Sequence, residues 1–163
     1  MSWRGHAWLA LPARLYLGFV FFYACLHKIA DPAAFALDVA TYQLLPLWLV
    51  NLTALVLPWI ELVTSVMIVI GYRTRAAALL IAGMMLVFIV ALGWALGQGL
   101  DMSCGCFASS STDHPISWLT MLRDAAWFGL TLYVLFFDHN PVGLDRWLAA
   151  RRSRTRAFEA PGR

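Results

Sequence analysis

Four stretches of this chain are long and apolar enough to cross a bilayer as helices, and that fact limits the fold more than any other. A hydrocarbon core of roughly 30 Å needs about 20 residues of helix. The blocks at approximately 8–30, 47–70, 76–97 and 116–137 meet that length. Of the 163 residues, 61% are hydrophobic and 13% are charged, and the mean hydropathy is +0.71. Soluble domains carry about a quarter charged residues. The sequence therefore predicts an all-α membrane protein: a four-transmembrane-helix bundle over residues 1–145, followed by a basic tail over 146–163. The bilayer is the partner this composition demands, and no nucleic acid is expected.

Arg14 interrupts the first apolar block, no A-x-A-like cleavage site follows it, and Phe22-Tyr23-Ala24-Cys25 is a poor lipobox. These features predict a mature helix rather than a signal peptide. Four spans put both termini and the 71–75 turn on one side. That side holds Arg4, Arg73, Arg75, Arg146 and the run Arg151, Arg152, Arg154, Arg156 and Arg163. The other side has Lys28 at a helix end and otherwise Asp31, Asp38, Asp101 and Asp113. The positive-inside rule predicts a multi-pass protein of the bacterial inner membrane with both termini cytoplasmic. The tail is then expected to lie loose against anionic headgroups.

The first outer loop opens with Asp31 and Pro32, a helix-start signal, and Phe35, Val39 and Tyr42 recur at helical spacing. A short interfacial helix is predicted between the first and second spans, ended by Pro46. In the second span Pro58 cannot donate to the Ala54 carbonyl, so a kink is expected just before Glu61. Gly93 and Gly97 give the third span a small-xxx-small spacing that lets another helix, or another copy of the chain, approach closely.

Ionisable groups inside a span cost about 2.5–3.5 kcal/mol each on insertion scales, and they usually face the bundle interior with a partner. At 1.5 Å per residue, Glu61 lies roughly 4 Å to the cytoplasmic side of the midplane and Arg14 roughly 8 Å to the same side. An Arg14–Glu61 pair is expected from that depth. It either sets helix register alone, or leaves Glu61 to relay protons or bind a polar headgroup such as a quinone. Arg123 lies roughly 5 Å toward the outside, with Asp124 about 100° around the helix. It has no obvious partner at its own depth. It either turns to the outer mouth, to a thiolate or a quinone oxygen, or snorkels to the interface or pairs with Asp101 or Asp113.

The outer loop between the last two spans reads M-S-C-G-C-F, with Cys104 and Cys106 one residue apart. Gly105 frees the backbone to close a small disulfide ring. Such rings are strained, and strained exposed disulfides exchange readily. A staple is a poor reading because so short a loop orders almost nothing. A metal site is weakened by ligand count, with only Met102, His114 and His27 to help two thiolates. Cys25 reads either as a small hydrophobe or as a thiol receiving a disulfide from the pair. Lys28 and His27 beside it are cations able to lower a thiol pKa, or simply interfacial anchors.

The first span, R-L-Y-L-G-F-V-F-F-Y-A-C-L-H-K-I-A-D-P, is followed by L-P-W-I-E, G-Y-R-T-R, C-G-C-F and then Arg123. This order resembles the MauE/DoxX-like redox-associated membrane proteins from about residue 11 to 137, and the C-G-C-F loop favours the MauE branch. Cys25 and Ala108 depart from the family pattern. The resemblance implies periplasmic redox maturation: MauE proteins are associated with methylamine utilisation and disulfide formation in the small subunit of methylamine dehydrogenase. DoxX-type relatives are linked to quinone-coupled sulfur oxidation.

Together these readings predict a membrane thiol–disulfide oxidoreductase that exchanges a Cys104–Cys106 disulfide with a periplasmic redox protein or enzyme subunit. Arg123 and Lys28 would stabilise the thiolate, and Glu61, Arg123 and Arg14 would hold a quinone. The alternatives are a non-enzymatic anchor or assembly subunit of a redox complex, and a metal-delivery protein.

Overall fold

A computed structural model describes residues 4–99, 117–138, 143–145, 147 and 150–151. Cys104 and Cys106 lie outside the described residues, as do Met102, His114, Asp101, Asp113 and most of the basic tail. The described chain forms α1 (Arg4–Ala30), α2 (Pro32–Thr41), α3 (Leu47–Ile70), α4 (Thr74–Gly97) and α5 (Trp118–Phe137). Four of these are long and apolar enough to span a membrane: Leu9–Ala30, Leu47–Ile70, Thr74–Gly97 and Trp118–Phe137. The expected short helix is α2.

Each boundary has a local cause. At the start of α2, Asp31 Oδ1 accepts from the Ala34 N–H at 2.9 Å, with Pro32 in the first turn. The helix stops at Thr41 rather than running to Pro46, because Gln43 turns into the left-handed region (φ 53°). Pro46 instead caps the start of α3. Pro58, fully buried, does not divide α3, which is one helix across it. Gly71 ends α3 at φ 74°, and the Gly71 and Tyr72 N–H groups both reach back to the Met67 carbonyl at 3.0 Å. Ser117 caps α5 by accepting from the Thr120 N–H at 3.4 Å.

The long helices form a ring in which α1 packs on α3 and α5, and α4 closes it against both. The start of α1, the α3–α4 turn and the end of α5 gather at one end, here termed proximal. The helix α2 and the α4–α5 connection mark the distal end. The core runs through Leu17 and Phe21 of α1, Ile68 of α3, Ala77, Ala78, Ile81 and Met85 of α4, and Val134 of α5. Where α1 crosses α3, Gly18 is required: a Cβ there would collide with Val69 Cγ2 and sit 3.3 Å from Ile68 Cγ2. Side chains such as Leu52, Leu55, Leu79, Val87 and Val90 point outward and exposed, which suits hydrocarbon and not water. By contrast, a Cβ at Gly93 or Gly97 would meet nothing within 4 Å. No described helix of this chain uses that small-residue spacing.

Candidate functional site: paired charges under a distal helix

The structure corrects the expected Arg14–Glu61 pair. Lys28 Nζ donates to both carboxylate oxygens of Glu61 at 2.8 Å, and the two side chains are 11% and 8% exposed. Arg14 Nη1 instead donates to Asp138 Oδ2 at 3.2 Å, with both residues buried. The reason is the direction of the Cα–Cβ bond, which tilts toward a helix's own N-terminus. In α1 that direction is proximal, so Arg14 leans toward the end of α5 and Lys28 leans down into the bundle. In the antiparallel α3 it is distal, so Glu61 leans up to meet Lys28. Arg14 is also out of reach of Glu61: Gly18 sits against Ser65, Ile68 and Val69, which puts Arg14 level with the α3–α4 turn, about 15 Å proximal to Glu61 at 1.5 Å per residue. Lys28 is therefore not an interfacial cation. It is a buried tie between α1 and α3.

Arg123 has a partner that depth did not suggest, while Asp101 and Asp113 lie outside the described residues. Its Nε donates to Asp124 Oδ1 at 3.1 Å, and its guanidinium lies 4.9 Å from the centre of the Trp127 ring. Trp127 in turn donates through Nε1 to the Tyr16 hydroxyl at 3.3 Å, across to α1. Neighbouring residues thus pair despite their different faces, because the long arginine wraps back. The pair is lopsided: Arg123 is 41% exposed along its side chain and Asp124 only 2%. Asp124 Oδ2 is buried and has no hydrogen-bond partner among the described residues.

The helix α2 covers the Lys28–Glu61 pair, and its C-cap residue Tyr42 reaches α4. Its buried Phe35 places a ring centre 5.1 Å from Lys28 Nζ, a cation–π distance. Two turns on, buried Tyr42 packs with Leu92 and Ala95, and its ring stands edge-on to Phe88 at 6.2 Å. Burial, then the charge of Asp124, then that of Asp38, push the Tyr42 phenol well above its usual range, so it stays protonated. Tyr42 and Asp124 therefore lie within electrostatic reach of each other.

The expected site residues thus divide. Arg14 and Arg123 sit toward opposite ends of the bundle. From Arg123 to Asp138, the partner of Arg14, is about 22 Å along α5 at 1.5 Å per residue. Glu61, Arg123 and Arg14 belong to three separate ion pairs. Cys25 is fully buried and free, and its thiol donates to the Phe22 carbonyl of its own helix at 3.0 Å. Among the described residues no cluster of three metal-ligating side chains occurs. Sequence reasoning missed Asp138, which stands one residue past its span, and the covering roles of Phe35 and Tyr42. The helical spacing of those two aromatics was the available signal.

This architecture defines a class: a four-span helical membrane protein with buried cross-helix ion pairs and a surface helix over its distal end. Within that class the chain belongs to the MauE family. The family model for methylamine utilisation protein MauE matches residues 6–137. The curated methylamine utilization protein MauE of Methylophilus methylotrophus is 31% identical over 127 residues, covering 77% of this chain and 67% of the relative. That of Paracoccus denitrificans is 32% identical over 122 residues, covering 74% and 65%. A third, from Methylorubrum extorquens, is 34% identical over 112 residues, covering 66% and 60%. The chain thus matches about two thirds of the length of these relatives. No solved structure matches it.

Proposed function

We propose that this protein is a thiol–disulfide redox component of methylamine utilisation, with Cys104 and Cys106 as its exchanging pair on the periplasmic side of the inner membrane. The observation that carries the reading is the Cys-Gly-Cys spacing between α4 and α5, in a chain of the MauE family. The Arg123–Asp124 pair supports it, because it lies within two turns of the start of α5, where that connection returns to the bundle.

In the oxidising direction, a partner thiolate attacks one sulfur of the Cys104–Cys106 disulfide and displaces the other as a thiolate. A second partner thiolate then attacks the mixed disulfide. The partner leaves as a disulfide, and Cys104 and Cys106 hold the two electrons, taking up two protons as thiols. Arg123, the half-exposed cation of the distal end, favours the thiolate form. Lys28 has both its hydrogen-bonded contacts on Glu61 and acts by holding α1 on α3 rather than on sulfur.

Reoxidation needs a two-electron, two-proton acceptor, which a membrane quinone would supply. Of the residues expected to hold one, Arg123 over the Trp127 ring is the group that fits a planar carbonyl compound. Glu61 and Arg14 are engaged elsewhere.

Redox titration with mass-spectrometric labelling of each thiol tests the reading. Cys104 and Cys106 are expected to titrate together as a two-electron couple while Cys25 stays reduced. Cys104→Ser or Cys106→Ser is expected to abolish exchange. If either variant still supports maturation of the partner, the protein is an assembly subunit and not an exchanger.

A further inference from the structure

Beyond Asp138 the described chain turns back onto the proximal end. Gly143 lies so close to the α3–α4 turn that a Cβ there would stand 2.8 Å from the Gly71 carbonyl oxygen. The Asp145 N–H donates to the same oxygen at 3.3 Å, and Asp145 Oδ2 accepts from the Arg73 N–H at 2.7 Å. Arg73 is the residue before α4, in the left-handed region at φ 45°, and its own side chain makes no capping bond. Asp145 therefore supplies, from a distant part of the chain, the carboxylate that the start of α4 lacks.

This clasp orients a second surface. Residues 144, 145, 147, 150 and 151 are helical, and the Trp147 N–H donates to the Gly143 carbonyl at 3.4 Å. Leu144, Trp147 and Arg151 recur at i, i+3 and i+7, so they share one helix face. All are exposed, and the Arg151 guanidinium lies 4.4 Å from the Trp147 ring. Beside the clasp, the turn presents Tyr72, Arg73 and Arg75, exposed as well. Asp145, an acid at this junction, has its carboxylate on the Arg73 backbone.

The chemistry of this surface selects its partner. Tyrosine and tryptophan rings settle at the headgroup level of a bilayer, and a leucine reaches below it. A zwitterionic headgroup also offers a phosphate but sets a fixed ammonium beside it, so it adds no net negative charge next to a basic surface, whereas an anionic headgroup does. Guanidinium groups pair with phosphate oxygens through two parallel hydrogen bonds. We propose that the Tyr72–Arg75 turn, together with Leu144, Trp147 and Arg151, forms one docking surface for anionic glycerophospholipid headgroups, built by the Asp145 clasp. The inference does not depend on the redox reading. It replaces a loose basic tail, over these residues, with an organised face.

The test is native mass spectrometry of the full chain in detergent, titrated with phosphatidylglycerol or with phosphatidylcholine, alongside thermal unfolding. Phosphatidylglycerol is expected to bind more tightly. Each of Arg73→Gln, Arg75→Gln and Arg151→Gln is expected to lower that preference by about fivefold, with unfolding in phosphatidylcholine unchanged. Asp145→Asn leaves every arginine in place and is expected to lower it too. Equal binding of the two lipids by the unaltered chain overturns the proposal, as does full preference in the triple arginine variant. Full preference in the Asp145 variant would remove the clasp's part. Inorganic phosphate is expected not to displace the lipid at equal concentration; displacement would assign the site to free phosphate and overturn the lipid reading.

Discussion

The two distal ion pairs look alike in composition and differ in what they do. Lys28–Glu61 joins two helices, each side chain leaning toward the other, with both oxygens satisfied and both groups buried. Arg123–Asp124 joins neighbours on one helix, leaves the cation half exposed and the second carboxylate oxygen without a hydrogen-bond partner among the described residues. The first pair fixes the register of α1 on α3. The second pair joins residues already adjacent in the chain, and its buried acid has one oxygen with no hydrogen-bond partner among the described residues, a cost that the pair itself does not offset. The contrast separates a structural tie from a group available for chemistry.

The comparison is broken most directly at Glu61. Glu61→Gln strands a buried ammonium, and a loss of about 3–5 kcal/mol is expected in reversible unfolding in mixed micelles. The double change Lys28→Met with Glu61→Met is expected to recover most of it; no recovery would mean the pair is more than a tie. Next in size is Gly18→Ala, on the same α1–α3 seam. Its new Cβ must displace Val69, and about 1–3 kcal/mol is expected from the same unfolding measurement.

Alkaline titration probes the other region. A phenol raised by burial contributes stability that is fully present below its ordinary pKa of about 10 and is lost as pH rises toward the folded value. Unfolding followed from pH 9 to 11 is therefore expected to show a falling stability that Tyr42→Phe flattens; an unchanged slope would remove Tyr42 from the account. The smallest expected effect on stability is Arg123→Gln, below about 1 kcal/mol because the cation is half exposed. The same variant is expected to slow thiol exchange severalfold at neutral pH. A large stability loss with normal exchange would reverse the assignment of the two pairs.

The four spans and the α2 helix were legible because each rests on a local pattern: an apolar run of membrane length, or an Asp-Pro start followed by aromatics at helical spacing. The pairing of charges was not legible from depth alone. Counting from the ends of the apolar blocks put Arg14 and Glu61 at similar depths. The contact of Gly18 with Ser65, Ile68 and Val69 sets a register in which Lys28 falls near Glu61 and Arg14 does not. The lean of the side chains closes the remaining gap. Asp138 was hidden by the same habit of counting only within spans, since it lies just past Phe137. The cysteine pair stands on sequence alone.

The ten-residue α2 carries Phe35, and Tyr42 caps its end, two turns or about 10 Å further along. The first ring stands over the Lys28 ammonium and the second packs on Leu92 and Ala95. One short element thus bridges the α1–α3 tie and the flank of α4, two parts of the bundle that share no ion pair of their own among the described residues.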